Sequence, residues 1–399
     1  MSAKKSRGSA RFHGSSVTSY PRWKAYSPSV SSVNAGASLV WARPRYGRSE
    51  VNSAGRVLSE PDLIPGAELD HAFAVASNWR SSHSYPLNAF QIGLRQRARK
   101  IERSHTVAQR LKRFSSIRAK LLRFPDMKLS QMQDIGGCRA VVSSCAKVVK
   151  IEQSYKSSRH AHELIHEDDY ISTPKESGYR GVHLIYRFAS TSRPEYNGLK
   201  IEVQLRSKLQ HAWATAVETV GTLVEQPLKS SIGEEDWLQF FALMGSAHAI
   251  MEGTPTVPGV PSTKAELKAE IESLTDALRV ETVLTGYGEA IQTIYLGERQ
   301  APYYLLELRP SGGQEGRPTV TITGFEVDQL EEANAKYLEI EKGLNEPGAQ
   351  AVLVSVESLK ALRTAYPNYF LDTRLFLNTV RTVLGRPPLS MSNGLSSKV

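Results

Sequence analysis

A chain of 399 residues, 40% hydrophobic and 23% charged, has the balance of a globular protein and is too long for one small domain. No stretch approaches the ~18 apolar residues of a transmembrane helix, the start lacks the apolar core of a secretory signal, and Cys138 and Cys145 fit no zinc or redox spacing, which points to a reducing cytosol and no membrane partner. The formal net charge of +10 favours polyanionic partners such as nucleotides, RNA or anionic lipid, with plain solubility as the alternative.

Residues 1–49 hold nine Lys or Arg and no acid among many Ser, Gly and Pro, and read as a disordered basic arm. Such a start also resembles an organellar transit peptide, or an overextended gene start. Residues 50–110 read as mostly helical, with Asp70-His71 inside a helix-like segment. From Arg95 to Arg123 eleven Lys or Arg accompany a single acid, Glu102. By itself such a run is a solvated helix face. Three strand-like runs follow, Cys138 to Val142, Val182 to Phe188 and Leu199 to Leu205, and then a helix-like segment from Lys208 to Val224. The stretch 253–262 is a Pro-rich linker. Beyond it a helix from Lys264 to Leu278 leads to a hairpin, YYLLELRP and TVTITGF, split by the turn SGGQEG. A helix from Asp328 to Leu344, the strand AVLVSV and helices from Glu357 onward complete an α+β unit over 263–385, the size of an independent domain. The last residues, 386–399, read as a disordered tail.

Three places carry residues with chemistry. In the strand 199–206, alternation sends Lys200, Glu202, Gln204 and Arg206 to one face and Leu199, Ile201, Val203 and Leu205 to the other. A face of acid, amide and two cations is a solvated sheet face or the floor of a site. In MQDIGGCRAVV, Asp134 enters another strand, followed by Gly136, Gly137 and Arg139. Two carboxylates on neighbouring strands can hold a Mg²⁺ that bridges nucleotide phosphates; the plain alternative is a tight turn. In DYISTPKESGYRGVHLIYRF, Lys175 can meet phosphate, Tyr179 can offer a stacking face, and His183 opens a strand. Ordinary packing is the alternative for each.

In sequence order these segments resemble the synthetase domain of RelA/SpoT enzymes, the alarmone synthetases. QRLKRFSSIRAKL (109–121) is similar to the family's adenosine- and phosphate-contacting segment. DIGGCR (134–139) is similar to its magnesium motif, and DYISTPKESGYRGVH (169–183) to its acceptor loop. EVQLR (202–206) with HAWA (211–214) is similar to its E-x-Q-x-R strand and following helix. The resemblance covers roughly a third of the chain and implies an α+β fold, a nucleotidyltransferase-like mixed sheet flanked by helices over 50–252. The α+β unit follows as a regulatory or partner-binding domain.

The resemblance also implies roles. Arg110 would stack on the ATP adenine, and Lys112, Ser116 and Lys120 would hold its phosphates. Asp134 and Glu202 would bind Mg²⁺, Glu202 would help deprotonate the attacking 3′-hydroxyl, and Arg139 would support the site. Lys175 and Tyr179 would face the acceptor, His183 would assist phosphate binding, and Gln204 and Arg206 would orient the site. The expected activity is transfer of the β,γ-pyrophosphate of ATP to the 3′-hydroxyl of a guanine nucleotide. The acceptor loop departs from the family's Asn-Gly-Tyr and Ser-Leu-His, reading Ser177-Gly178-Tyr179 and Gly181-Val182-His183. The family's hydrolase domain and the ribosome-associated modules of its long members are not apparent. A second expectation is therefore a toxin that pyrophosphorylates the 3′ end of tRNA, restrained or triggered through its C-terminal domain, with a protein as the trigger. The third is a non-catalytic RNA-binding protein, which gains nothing from acids in its groove.

Overall fold

The computed structural model describes residues 41–389, apart from Pro61, Arg159, 224–227, 229–234, Ser262, 298–300, 312–316, Asn345, Pro347 and Glu357. Residues 1–40 of the basic arm, 390–399 of the tail and most of the SGGQEG turn lie outside them. The inner end of each terminal segment is packed. Arg45 donates its backbone N–H to Asn78 Oδ1 at 2.9 Å, and Arg386 pairs with Glu281 at 3.0 Å.

Three helices open the described chain, α1 (Arg48–Leu58), α2 (Ala67–Ser82) and α3 (Ser84–Ile101). Then come β1 (Thr106–Leu111), α4 (Phe114–Arg123), β2 (Gly136–Val142), α5 (Cys145–Lys156), β3 (Glu163–Asp169), β4 (Val182–Arg187), β5 (Lys200–Ser207) and α6 (Lys208–Leu223). The predicted strands and the helix after them appear as β2, β4, β5 and α6. Two more strands are present, because the basic run is interrupted by β1 and an acidic segment forms β3. A helix not anticipated from sequence, α7 (Glu235–Glu252), precedes the Pro-rich stretch.

Beyond that stretch lie α8 (Lys264–Ala277), α9 (Val280–Ala290), β6 (Gln292–Gly297), β7 (Tyr303–Arg309), β8 (Thr319–Phe325), α10 (Leu330–Gly343), β9 (Gln350–Ser355), α11 (Leu359–Ala365) and α12 (Arg374–Leu384). Local signals explain several boundaries. The Thr263 hydroxyl caps α8 by accepting from the Glu266 N–H, and Ser358 caps α11 by accepting from Ala361 N–H. The predicted hairpin forms as antiparallel β7 and β8.

All nine strands join one mixed sheet, in the order β3-β4-β5-β2-β1-β9-β7-β8-β6. Strands β2 and β5 are parallel, as are β6 and β8, and the other neighbours are antiparallel. The strands before and after the Pro-rich stretch meet where β1 pairs with β9, through Gln109 opposite Ser355 and Arg110 opposite Val354. One core packs α1 to α5 against β2, β4 and β5, through Leu87, Leu94, Val148, Ile201 and Val203 among others. A second joins α6, α7, α8, α9 and α12 around Trp213, Phe240, Phe241 and Phe376. Burying each such side chain contributes about 1.5–3 kcal/mol. The polar face of β5 is left toward a cavity between these layers.

Candidate active site

The cavity has a volume of about 420 Å³. Its floor is a pair of rows running across neighbouring strands. In one, Arg110 of β1 lies opposite Gly137 of β2, which lies opposite Glu202 of β5. In the next, Ala108, Arg139, Gln204 and His183 line up in the same way. Period-two alternation puts each row on one face, so residues far apart in sequence share one wall. The Gly137 backbone passes close to Glu202, and a Cβ there would stand 3.6 Å from Glu202 Oε2.

At one end Asp134, just before β2, receives Lys112 Nζ at 2.7 Å and Lys120 Nζ at 3.0 Å, one on each carboxylate oxygen. Burial opposes ionisation of Asp134, but the two lysines outweigh it and hold the carboxyl well below its usual range. Burial also pushes the Lys112 pKa down, only partly offset by Asp134. Lysines held this way can transfer to an arriving phosphate.

The other end is a hydrogen-bonded chain. Glu202 is 8% exposed. Its Oε1 meets His183 Nδ1 at 2.8 Å, and its Oε2 accepts from Gln204 Nε2 at 2.7 Å. His183 Nε2 meets the Tyr179 hydroxyl at 2.5 Å, and Arg206 Nη2 donates to that hydroxyl at 2.8 Å. Burial works against a charged His183, yet Tyr179 and Glu202 prevail and raise its pKa to about 9. The family resemblance implies that His183 assists phosphate binding, and in the structure it also holds Glu202. Lys175 stands over the Tyr170 ring at 4.1 Å, and the Arg206 guanidinium over the Tyr179 ring at 5.2 Å.

Of the residues singled out from sequence, Arg110, Lys112, Asp134, Arg139, Lys175, Tyr179, His183, Glu202, Gln204 and Arg206 line this cavity. Lys120 reaches it through Asp134, whereas Ser116, on α4, is not part of the wall. Sequence reasoning missed Arg123, Phe124 and Tyr366, which also line it. Arg123 stood in the basic run. Tyr366 carries no local signal, since it arrives from behind α11. There the Ala365 carbonyl accepts a hydrogen bond from Arg139 Nη2, and the Arg139 guanidinium stands 5.5 Å from the Tyr366 ring centre. The Tyr366 hydroxyl donates to the Gln109 carbonyl at 3.0 Å, and His211 Nε2 lies 3.1 Å from the Thr364 carbonyl. Burial, then Arg206, lowers the Arg139 pKa to about 10. Burial disfavours the Arg110 charge, but Glu218, Tyr369 and Tyr366 outweigh it and raise its pKa.

No group of three or more His, Cys, Asp or Glu suited to a metal ion occurs among the described residues. Two carboxylates in one cavity fit Mg²⁺ nevertheless. That ion takes one or two carboxylates and completes its shell with water and substrate phosphate. Asp134 and Glu202 would be the donors for it.

Residues 109–220 match the family described as "Region found in RelA / SpoT proteins". The chain is 33% identical over 114 residues to the GTP pyrophosphokinase YwaC of Bacillus subtilis (strain 168), covering 27% of this chain and 52% of that protein. It is 30% identical over 111 residues to the GTP pyrophosphokinase YjbM of the same organism, covering 27% of this chain and 52% of that protein. The chain thus spans about half the length of these curated relatives. A crystal structure of small alarmone synthetase 2 from Bacillus subtilis aligns with a TM-score of 0.37 at 22% identity, over 44% of this chain and 93% of that one. The chain resembles a RelA/SpoT-type synthetase over the matched residues, which contain every cavity residue named above except Ala108 and Tyr366.

Proposed function

We propose that the protein is an ATP-dependent pyrophosphokinase that transfers the β,γ-pyrophosphate of ATP to the 3′-hydroxyl of a guanine nucleotide. The observation that carries this reading is the placement of Glu202 and the Asp134–Lys112–Lys120 cluster in one cavity. Phosphates of ATP draw Lys112 and Lys120 off Asp134, whose carboxylate would then hold Mg²⁺ together with Glu202. Bound Mg²⁺ would neutralise charge on the phosphate oxygens. Glu202, already anionic beside His183, aligns the attacking hydroxyl and takes its proton. Arg110 offers a flat cation to the adenine, Arg139 supports the site, and Lys175 and Tyr179 lie on the acceptor side.

A second reading concerns control. The Ala365 carbonyl and the Tyr366 ring engage Arg139 within the cavity, so the C-terminal unit competes with a nucleotide for that arginine. This supports a synthetase restrained by its own C-terminal segment, as the toxin reading requires, with release left to a protein partner. The acceptor in that case is the tRNA 3′ end.

The test is label transfer from β/γ-phosphate-labelled ATP, with GDP, GTP and bulk tRNA offered separately to wild type, Glu202→Gln and Tyr366→Ala. Label on GDP or GTP supports the nucleotide synthetase; label on tRNA supports the toxin. Faster transfer by Tyr366→Ala supports restraint. No transfer by either wild type or Tyr366→Ala removes the catalytic reading.

A further inference from the structure

We infer that α7 is the backing of the acceptor loop, and that Gly245 and Arg180 are positioning residues that set where Lys175 and Tyr179 stand. This rests on the reading of residues 169–183 as the loop that faces the acceptor. It adds residues to which no role is otherwise assigned, one of them outside the matched region.

The loop between β3 and β4 turns tightly, with the Gly178 N–H donating to the Lys175 carbonyl at 2.8 Å. Gly178 has φ +88°, a conformation open to glycine and strained for other residues. Its backbone lies directly on α7. A Cβ at Gly178 would be 2.6 Å from the Phe241 carbonyl oxygen and 3.0 Å from Ala242 Cα. The fit is reciprocal, since a Cβ at Gly245 would be 2.6 Å from Gly178 Cα and 2.6 Å from its carbonyl oxygen. Two backbones touch here with no side chain between them, so neither can shift without the other.

Two residues beyond Gly178, Arg180 ties the start of the loop to its end. It is 2% exposed, and its guanidinium donates to the Pro255 carbonyl at 2.6 Å, to Thr254 Oγ1 and to the Ile171 carbonyl at 3.1 Å. Pro255 and Thr254 lie just beyond α7, and that segment is tied to the helix by the Val257 N–H donating to Ser246 Oγ at 2.9 Å. Beside these two anchors the loop presents Lys175, Ser177 and Tyr179 to the cavity. The Trp213 indole N–H donates to the Phe241 carbonyl at 2.8 Å, so the ring beside Tyr179 is fixed to the same helix. The nucleotide-phosphate groups, Lys112, Lys120 and Asp134, touch none of this. A displaced loop therefore acts on the acceptor side and, through Tyr179 and His183, on Glu202, while the contacts of Lys112 and Lys120 with Asp134 stay in place.

The test is Gly245→Ala in the full chain, with both KM values measured using whichever of GDP, GTP or bulk tRNA the wild type labels. Trypsin cleavage after the exposed Lys175 is followed in parallel, without any substrate. The expected result is a rise of about ten- to a hundredfold in acceptor KM, an ATP KM unchanged, and faster cleavage after Lys175. Alanine is the better helix former, so without the contact it would only raise the Tm. Unchanged acceptor KM and unchanged cleavage would overturn the inference, as would equal rises in both KM values. Should Gly245→Ala not fold, Arg180→Lys is read in the same way. If the wild type labels no acceptor, the proposed activity is what fails, and the cleavage rates decide the positioning claim by themselves.

Discussion

Asp134 and Glu202 are carboxylates of the same cavity, yet one is gripped by two lysines and the other by a histidine and an amide. The partners of Asp134 are mobile cations on long stems, which an incoming polyanion can take over. The partners of Glu202 are short groups locked into a chain that runs on to Tyr179 and Arg206. One end of the cavity is built to exchange partners and the other to keep its geometry. A group-transfer site needs both, since substrate charge must be accepted where it arrives and the nucleophile must be held where it reacts.

Four substitutions sharpen or break that contrast. The largest effect is expected for Glu202→Gln, which keeps the shape but loses the anion. Label transfer should fall about a thousandfold, some 4 kcal/mol of barrier. A fall under tenfold would remove Glu202 from the reaction. Next is the pH dependence of stability. The folded pKa of His183 is about 9 against an ordinary 6.5. Its charge therefore stabilises the fold fully below pH ~6.5, and that contribution is lost as pH rises through 9. Urea unfolding at pH 6 and pH 10 should show a drop on the order of 3 kcal/mol that His183→Gln abolishes.

Asp134→Asn leaves Lys112 and Lys120 without their acceptor and should cost about 2–3 kcal/mol in urea unfolding. Millimolar inorganic pyrophosphate should return part of it, because the freed lysines then hold phosphate. No recovery would contradict the exchangeable character of that end. The smallest effect is expected for Tyr179→Phe, which keeps the ring but removes the hydroxyl between His183 and Arg206. A loss of about 1 kcal/mol should accompany a fall in the His183 pKa, readable by NMR titration.

The sequence made the chemistry more legible than the architecture. Strand β5 alternates apolar and polar residues cleanly, whereas β2 and β4 each set one polar cavity residue, Arg139 or His183, among mostly apolar ones, and those were read from the family motifs. Strand β1 was hidden because TVAQRL, with its one cation Arg110, sits inside a basic run that looks helical, and only pairing on both edges makes it a strand. Strand β3 is an edge strand of acids and histidine, with little apolar content to signal it. Helix α7 has buried residues all around it, such as Phe240, Phe241, Gly245, Ser246 and Ala249, so it shows no one-sided stripe. Tyr366 was unreadable for another reason. An aromatic before a Pro looks like packing, and its place in the cavity depends on how a distant unit docks.

The meeting of β1 and β9 also has a bearing on how the chain is made. β9 is the last strand to be synthesised, yet it sits between β1 and β7. Until it emerges, β1 has an unpaired edge along the wall that carries Arg110, and β7 has no partner on that side. A ribosome adding ~5–20 residues per second leaves that edge bare while more than two hundred residues are appended. Bare strand edges recruit other chains. Chaperone occupancy on the nascent polypeptide should therefore peak between emergence of β1 and emergence of β9, and fall once the last strand slots in.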